Sequence, residues 1–250
     1  METPAPTAAM LVIGDEILSG RTQDTNTNYV ARFLGSLGID LKEARVVPDV
    51  ETEIVAAVNA LRSRYDYVFT TGGIGPTHDD ITADAVARAF NVSIDYHPEA
   101  LGLIGARYKP GELNEMRKRM ARIPNGARLI YNSVSAAPGF QVENVFVMAG
   151  VPMIMRAMLE DVAPRLKRGQ PVHTSTVSAP VPEGRIAAAL AEIQRAHATV
   201  ALGSYPYYRE DGYGVQLVVR GRDVAEVDGA ASEIEAALRG QGVDPIRENG

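Results

Sequence analysis

The string Thr70-Thr71-Gly72-Gly73-Ile74-Gly75-Pro76-Thr77-His78-Asp79-Asp80-Ile81-Thr82 constrains this chain more than any other stretch. It follows Tyr67-Val68-Phe69-Thr70, a β-branched and aromatic run that reads as a buried strand. It precedes Ala83 to Phe90, where Val86, Ala89 and Phe90 share one helical face. The spacing therefore predicts a strand–loop–helix turn. Gly72, Gly73 and Gly75 let the backbone turn sharply and approach a ligand. Thr82 is placed to cap the helix, and the amides of its first turn favour an anionic group such as phosphate. Asp79 and Asp80 arrive at the same place, where a carboxylate can hold a metal or position water. An ordinary glycine-rich connection with an acidic helix start has the same composition, so spacing alone leaves both readings open.

The chain before this turn repeats the same unit. Ala8 to Ile13 is an apolar run ending at Gly14, the mark of a buried strand. The polar segment Gly14-Asp15-Glu16-Ile17-Leu18-Ser19-Gly20 follows, then Asp24-Thr25-Asn26. Asp24 or Thr25 can cap a helix carrying Tyr29, Val30, Phe33, Leu34 and Leu37, closed by Gly38. Capping alone also accounts for Asp24 and Asn26. Ile39 to Val47 reads as a second strand ending at Pro48-Asp49, and Ile54, Val55, Val58 and Leu61 mark the next helix. Successive strand–helix units predict an α/β fold, a three-layer, mostly parallel sheet with right-handed crossovers. On that plan Asp15, Asp49 and Asp80 emerge at the carboxyl ends of adjacent strands, where open sheets place ligands.

Beyond Phe90 the expectations are a helix opening at His97-Pro98, a break at Lys109-Pro110-Gly111 and a charged helix from Asn114 to Arg122. Strands follow at Leu129 to Tyr131 and Val145 to Met148, then a helix whose methionines fill core space. Pro164 to Gly169 reads as a linker. The remainder gives a strand–helix–strand–strand–helix order, a small α+β domain. The expected domains are 8–168 and 171–242, with a frayed start through Thr7 and a disordered end from Val243.

The formal charge of −6 argues against nucleic acid as the main partner, although Arg117-Lys118-Arg119 offers a local basic run. The absence of cysteine removes disulfides, thiolate chemistry and cysteine-based zinc sites. No apolar run reaches the roughly 18 residues of a membrane span, and the first residues lack the basic start of a signal peptide. The expectation is a cytoplasmic protein with no membrane partner. His78, His97, His173 and His197 show no metal-ligand spacing.

The loop string resembles the signature of the MoaB/Mog family of molybdopterin-binding domains, and within it the competence/damage-inducible, CinA-like branch. Gly14-Asp15-Glu16-Ile17-Leu18-Ser19-Gly20 with Asp24-Thr25-Asn26, Val46-Val47-Pro48-Asp49, Val134-Ser135-Ala136-Ala137-Pro138-Gly139-Phe140 and Met148-Ala149-Gly150-Val151-Pro152 are similar to further motifs of that branch, in order. The resemblance covers roughly Ala9 to Ala163, and the region around Gly203-Ser204-Tyr205-Pro206 looks like the small middle domain of CinA-type proteins. It implies a phosphorylated pterin or an adenine nucleotide over the glycine loop. Gly14, Asp15, Glu16, Ser19, Asp24, Asn26, Thr71, Gly72, Gly73, Gly75, Pro76, Thr77 and Thr82 would bind it. Asp49 and Asp80 would be catalytic, and Asp79 with Asp80 would hold a divalent cation (Mg²⁺, Mn²⁺ or Co²⁺) for hydrolysis of a pyrophosphate bond of the ADP-ribose or FAD type. Two other implied functions stay open: molybdopterin binding with adenylyl transfer in molybdenum cofactor biosynthesis, and nucleotide binding without catalysis. A homo-oligomer is the expected state, and the amidohydrolase activity of longer CinA proteins is expected to be absent. Two departures bear on catalysis. Ala149 replaces a proline, and Ile154 stands where the branch usually has glutamate.

Overall fold

The computed structural model describes residues 4–109, 112–209 and 212–249. The chain divides into two compact units, Met1–Gly169 and Gln170–Gly250. In the first unit the order is β1 (Thr7–Ile13), α1 (Asp15–Leu18), α2 (Asn26–Ser36), β2 (Asp40–Val47), α3 (Glu51–Arg62), β3 (Tyr67–Thr71), α4 (Thr82–Ala89), β4 (Ile94–Tyr96), α5 (Pro98–Gly105), α6 (Glu115–Arg119), β5 (Arg122–Pro124), β6 (Arg128–Ile130), β7 (Gly139–Val142), β8 (Val145–Met148) and α7 (Pro152–Val162). The main sheet runs β2-β1-β3-β8-β7-β6. Its first four strands are parallel, and β7 and β6 extend it antiparallel. The expected mixed α/β architecture with a mostly parallel sheet is the one observed.

β1 shows why the unit has three layers. Its alternate residues Ala9, Leu11 and Ile13 enter a core with Ile54, Val58 and Leu61 of α3 and Val86 of α4. Ala8, Met10 and Val12 enter a second core with Val30 and Leu34 of α2 and Met155, Met158 and Leu159 of α7. A strand buried on both faces must be apolar throughout, which is what Ala8 to Ile13 supplies. Phe69 of β3 stacks on Phe146 of β8 at 5.2 Å between ring centroids, which ties the two central strands across the second core.

Several local expectations are corrected. The start is not frayed over the described residues. The Pro6 carbonyl accepts from Asp40 N, and Thr7 donates through its amide and hydroxyl to Asp66 Oδ2 at 2.7 and 2.8 Å; residues 1–3 lie outside the described residues. The charged helix ends at Arg119, because Arg122–Pro124 leaves it to pair with β4. Arg122 grips Asp84 with two hydrogen bonds of 2.8 and 2.7 Å, so its strand is drawn onto α4. Of the break at 109–111, Pro110 and Gly111 lie outside the described residues. The segment read as a linker is packed: Leu166 is buried, Lys167 N donates to Tyr67 Oη and Gly169 N to Leu37 O.

The second unit contains β9 (His173–Ala179), α8 (Glu183–Ala196), β10 (Ala201–Arg209), β11 (Gly212–Gly221), α9 (Val224–Arg239) and β12 (Ile246–Asn249). Its antiparallel sheet runs β10-β11-β9-β12. Val177, Val215, Leu217 and Val219 pack with Ile186 and Ile193 of α8 and Val227, Ile234 and Leu238 of α9. The end of the chain is not disordered through Asn249, since β12 pairs with β9; Gly250 lies outside the described residues. Among the described residues no helix is long and apolar enough to cross a membrane.

Candidate functional site

The glycine loop leaves the carboxyl end of β3, beside that of β1. Gly72 adopts φ 104°, and a Cβ there would lie 2.0 Å from the Ile13 carbonyl, so the backbone passes where no side chain fits. Gly73 adopts φ 66°, and a Cβ there would lie 2.1 Å from Thr82 Oγ1. Thr82 is therefore not the helix cap its position suggested. It is fully buried as the first residue of α4, its hydroxyl donating to Gly72 O at 3.0 Å and its amide to Gly73 O at 3.0 Å. A threonine that caps must sit one residue earlier, and that position belongs to Ile81, which offers no side-chain acceptor.

Asp80 closes the loop from within. Gly75 N donates to its Oδ1 at 2.7 Å, while Thr77 N and Thr77 Oγ1 donate to its Oδ2 at 2.7 and 2.5 Å. Both oxygens are thus engaged by the loop they follow. His78 and Asp79 point into solvent, with His78 94% exposed.

Asp49 joins the loops after β1 and β2. Its Oδ2 accepts from Asp15 N at 3.0 Å, and Gly14 N donates to Val47 O nearby. Among the described residues its Oδ1 accepts no hydrogen bond, and a Cβ added at Gly73 would come 3.6 Å from it. Burial pushes the Asp49 carboxyl above its ordinary value of 3.8; the Asp15 amide opposes this, and the neighbouring charges of Asp15, Glu16 and Asp79 add to it. The loops after β1, β2 and β3 meet at Asp49 and Gly73, but of Asp15, Asp49 and Asp80 only Asp80 lines the cleft over the glycine loop.

A cleft of about 840 Å³ opens over the glycine loop. Glu16, Gly72, Gly73, Gly75, Pro76 and Asp80, all singled out in the sequence, line it together with Ile154, Ala149, Gly150 and Val151. Gly14, Asp15, Ser19, Asp24, Asn26, Asp49, Thr71, Thr77, Asp79 and Thr82 do not line it. Of these, Asp24 caps α2, its Oδ1 accepting from Asn26 N and Thr27 N at 2.9 and 3.1 Å. Asn26 is buried and donates to Gly150 O at 2.8 Å, bracing the loop before α7. Ser19 only turns back to Glu16 O, and Thr71 is buried behind the loop with its hydroxyl unpartnered. Sequence reasoning missed Ile104, Arg107, Tyr108 and Met120, which also line the cleft, and took Val134 to Ala137 only as part of a family motif, not as site residues. Arg107 and Tyr108 sit just past the end of α5, and no motif marks them.

Among the described residues no three carboxylate or histidine side chains gather closely enough to hold a metal ion. Asp80 is committed first to the loop, with Oδ2 engaged twice and Oδ1 once, so a single lone-pair direction on Oδ1 is left for a cation. Asp49 fits better: one oxygen is unengaged, and its acidic neighbours favour a cation.

A mostly parallel sheet whose strand β3 ends in a braced glycine loop, beside a cleft at the carboxyl edge, defines an α/β protein of the open-sheet type, a class that places ligands at that edge. Residues 9–168 match the family described as "Probable molybdopterin binding domain", and residues 171–246 match "FAD synthase, middle domain". The chain belongs to the molybdopterin-binding (MoaB/Mog) domain family, in its CinA-like branch. A protein of Archaeoglobus fulgidus is 34% identical over 229 residues, covering 92% of this chain and 96% of its own. A CinA-like protein of Citrifermentans bemidjiense is 42% identical over 159 residues, which is 61% of this chain and 38% of that protein. The crystal structure of CinA from Thermoplasma acidophilum superimposes with a TM-score of 0.61 at 34% identity, over 64% of this chain and 98% of that one.

Proposed function

We propose that the cleft binds a phosphorylated small molecule of the adenine-nucleotide or pterin type and hydrolyses a pyrophosphate bond in an ADP-ribose- or FAD-like ligand. The observation that carries this reading is the glycine loop lining the cleft, with Asp49 outside the lining but set behind it, 3.6 Å from where a Cβ at Gly73 would lie. Gly72 N, Gly75 N and Thr77 N are engaged within the protein, so the amides of Gly73 and Ile74 are the ones this reading assigns to phosphate oxygens. Ile104, Met120, Ala137 and Ile154 give the cleft an apolar flank for the uncharged part of the ligand.

In this proposal Asp80 and Thr82 hold the loop in its ligand-binding shape, and Asp49 orients the attacking water. Asp49, aided by Asp15 and Glu16, would hold a divalent cation together with ligand phosphates, a common arrangement for Mg²⁺; the cation would neutralise charge developing on the phosphates. The protein acts in the cytoplasm as a homo-oligomer, without nucleic acid or membrane.

A specific observation favours a second reading, binding without turnover: Asp80 is spent on its own loop and Ile154 presents only apolar surface. Molybdopterin would then be the alternative ligand. The test is AMP release from ADP-ribose, FAD and NAD with Mg²⁺, Mn²⁺ or Co²⁺, comparing the wild type with Asp49→Asn. Metal-dependent release that falls in the variant supports hydrolysis. Binding of these nucleotides with no release under any metal leaves the binding function alone.

A further inference from the structure

We propose that Arg107 and Tyr108 form the far half of the binding site, Arg107 taking the second phosphate of a pyrophosphate-bridged ligand and Tyr108 carrying its flat ring. This rests on the nucleotide reading given above and says which residues select a dinucleotide-like ligand over a mononucleotide.

The charged residues lining the cleft are Glu16, Asp80 and Arg107, so Arg107 is the sole cation among the described lining residues. A diphosphate over the glycine loop meets the carboxylates of Glu16 and Asp80, and among the described lining side chains positive charge comes only from Arg107. Arg107 is held for the task. Its amide closes the end of α5 onto Ile104 O at 3.1 Å, and one guanidinium nitrogen donates to Val134 O at 2.9 Å. Val134 belongs to a turn fixed by Asn132, whose Oδ1 accepts from Val134 N and Ser135 N at 3.2 and 2.5 Å. The remaining N–H donors of the planar guanidinium are available, and such a fork matches two phosphate oxygens at once.

Tyr108 is held as firmly. The guanidinium carbon of Arg117 lies 4.2 Å from its ring centroid, and Arg117 is in turn fixed to the Glu112 carbonyl. The cation on the ring keeps an aromatic platform in place beside the apolar flank.

The test is calorimetric binding of ADP-ribose and of AMP to the full chain, without metal, with thermal unfolding of each variant. Arg107→Ala should weaken ADP-ribose by about thirtyfold and AMP by less than about threefold, as expected for one charge-assisted phosphate contact. Arg107→Lys should recover only part of that loss, because it keeps the charge without the fork. Tyr108→Phe should bind both ligands as the wild type does, and Tyr108→Ala should weaken both by about tenfold. Equal weakening of both ligands by Arg107→Ala together with a lowered Tm would make Arg107 only a strap for the 134–137 loop and overturn its role. Unchanged ADP-ribose affinity would overturn it as well. Failure of the wild type to bind either nucleotide would overturn the nucleotide reading itself, and this inference with it, before any variant is compared.

Discussion

The Thr77 hydroxyl donates to Asp80 Oδ2 at 2.5 Å while the Thr77 amide reaches the same oxygen at 2.7 Å. With Gly75 N on Oδ1 at 2.7 Å, the carboxylate forms the inner wall of the loop that follows β3. Asp80→Asn replaces a charged acceptor of these donors with an amide whose nitrogen cannot accept. Charge-assisted bonds of this kind are worth about 1.5–3 kcal/mol each. The expected result is a stability loss of about 1–3 kcal/mol and loss of ligand binding along with any turnover, read by denaturant unfolding and calorimetry. A variant that binds normally but has lost turnover would return Asp80 to a catalytic role.

Gly72 gives a harsher test of the same loop. At φ 104° a Cβ would sit 2.0 Å from the Ile13 carbonyl, so Gly72→Ala cannot be accommodated without moving β1 or the loop. Backbone strain and steric overlap together place the cost at about 3 kcal/mol or more. Gly20→Ala also occupies positive φ, but a Cβ there meets no atom within 4 Å. It should cost only about 1–2 kcal/mol. Equal Tm values for the two variants would show that the close approach to Ile13 is relieved at little cost.

Asp49 sets stability against function. Its carboxyl is raised chiefly by burial, so the folded protein binds this proton more tightly than the unfolded chain does. Its stabilising contribution is therefore complete below the ordinary value of 3.8 and is lost as pH rises through the raised folded value. At neutral pH the charge is a net cost. Asp49→Asn, which can still accept from Asp15 N, should unfold no more easily than the wild type at about pH 7, and the difference should shrink toward about pH 4. If it instead proves less stable at neutral pH by more than about 1 kcal/mol, the charged bond to Asp15 outweighs desolvation.

How far the sequence foretold this architecture depended on how local each signal was. β1, β3 and α3 announce themselves through apolar runs and helical periodicity, and Gly38 ends its helix at φ 73° as the pattern required. The pairing of Ile94–Tyr96 with Arg122–Pro124 left no trace, because each strand is three residues long and the partners are distant in sequence. β12 was hidden by the polar sequence Ile246–Asn249, which suits an edge strand as well as a loose tail. In the site, the glycine loop and Asp49 were legible as motifs, whereas Arg107 and Tyr108 reach the cleft only because α5 packs where it does. Thr82 had the right composition for a cap and the wrong place by one residue. Sequence can name such a residue but not its direction.

His197 supplies a pH test confined to the second unit. Its Nδ1 lies 3.2 Å from Glu226 and its Nε2 3.1 Å from Glu233, so each ring nitrogen faces a carboxylate. A neutral imidazole has one nitrogen without a proton, and that lone pair would face negative charge. The doubly protonated ring is favoured, and hydrogen bonds to Glu233 and then Glu226 raise His197 above its ordinary value of 6.5. The sign is that of a raised base: the stabilisation is fully present below 6.5 and fades as pH rises through the folded value. Because His197 closes α8 and both glutamates belong to α9, the two helices should loosen together. Amide hydrogen exchange in α8 and α9, corrected for intrinsic rates, should show protection falling as pH rises above 6.5 through the raised folded value. His197→Gln should flatten that dependence and lower protection at the acid end, while the first unit stays unchanged. A wild type whose protection in these helices does not change as pH rises above 6.5 would mean that the pair of glutamates holds the neutral ring equally well.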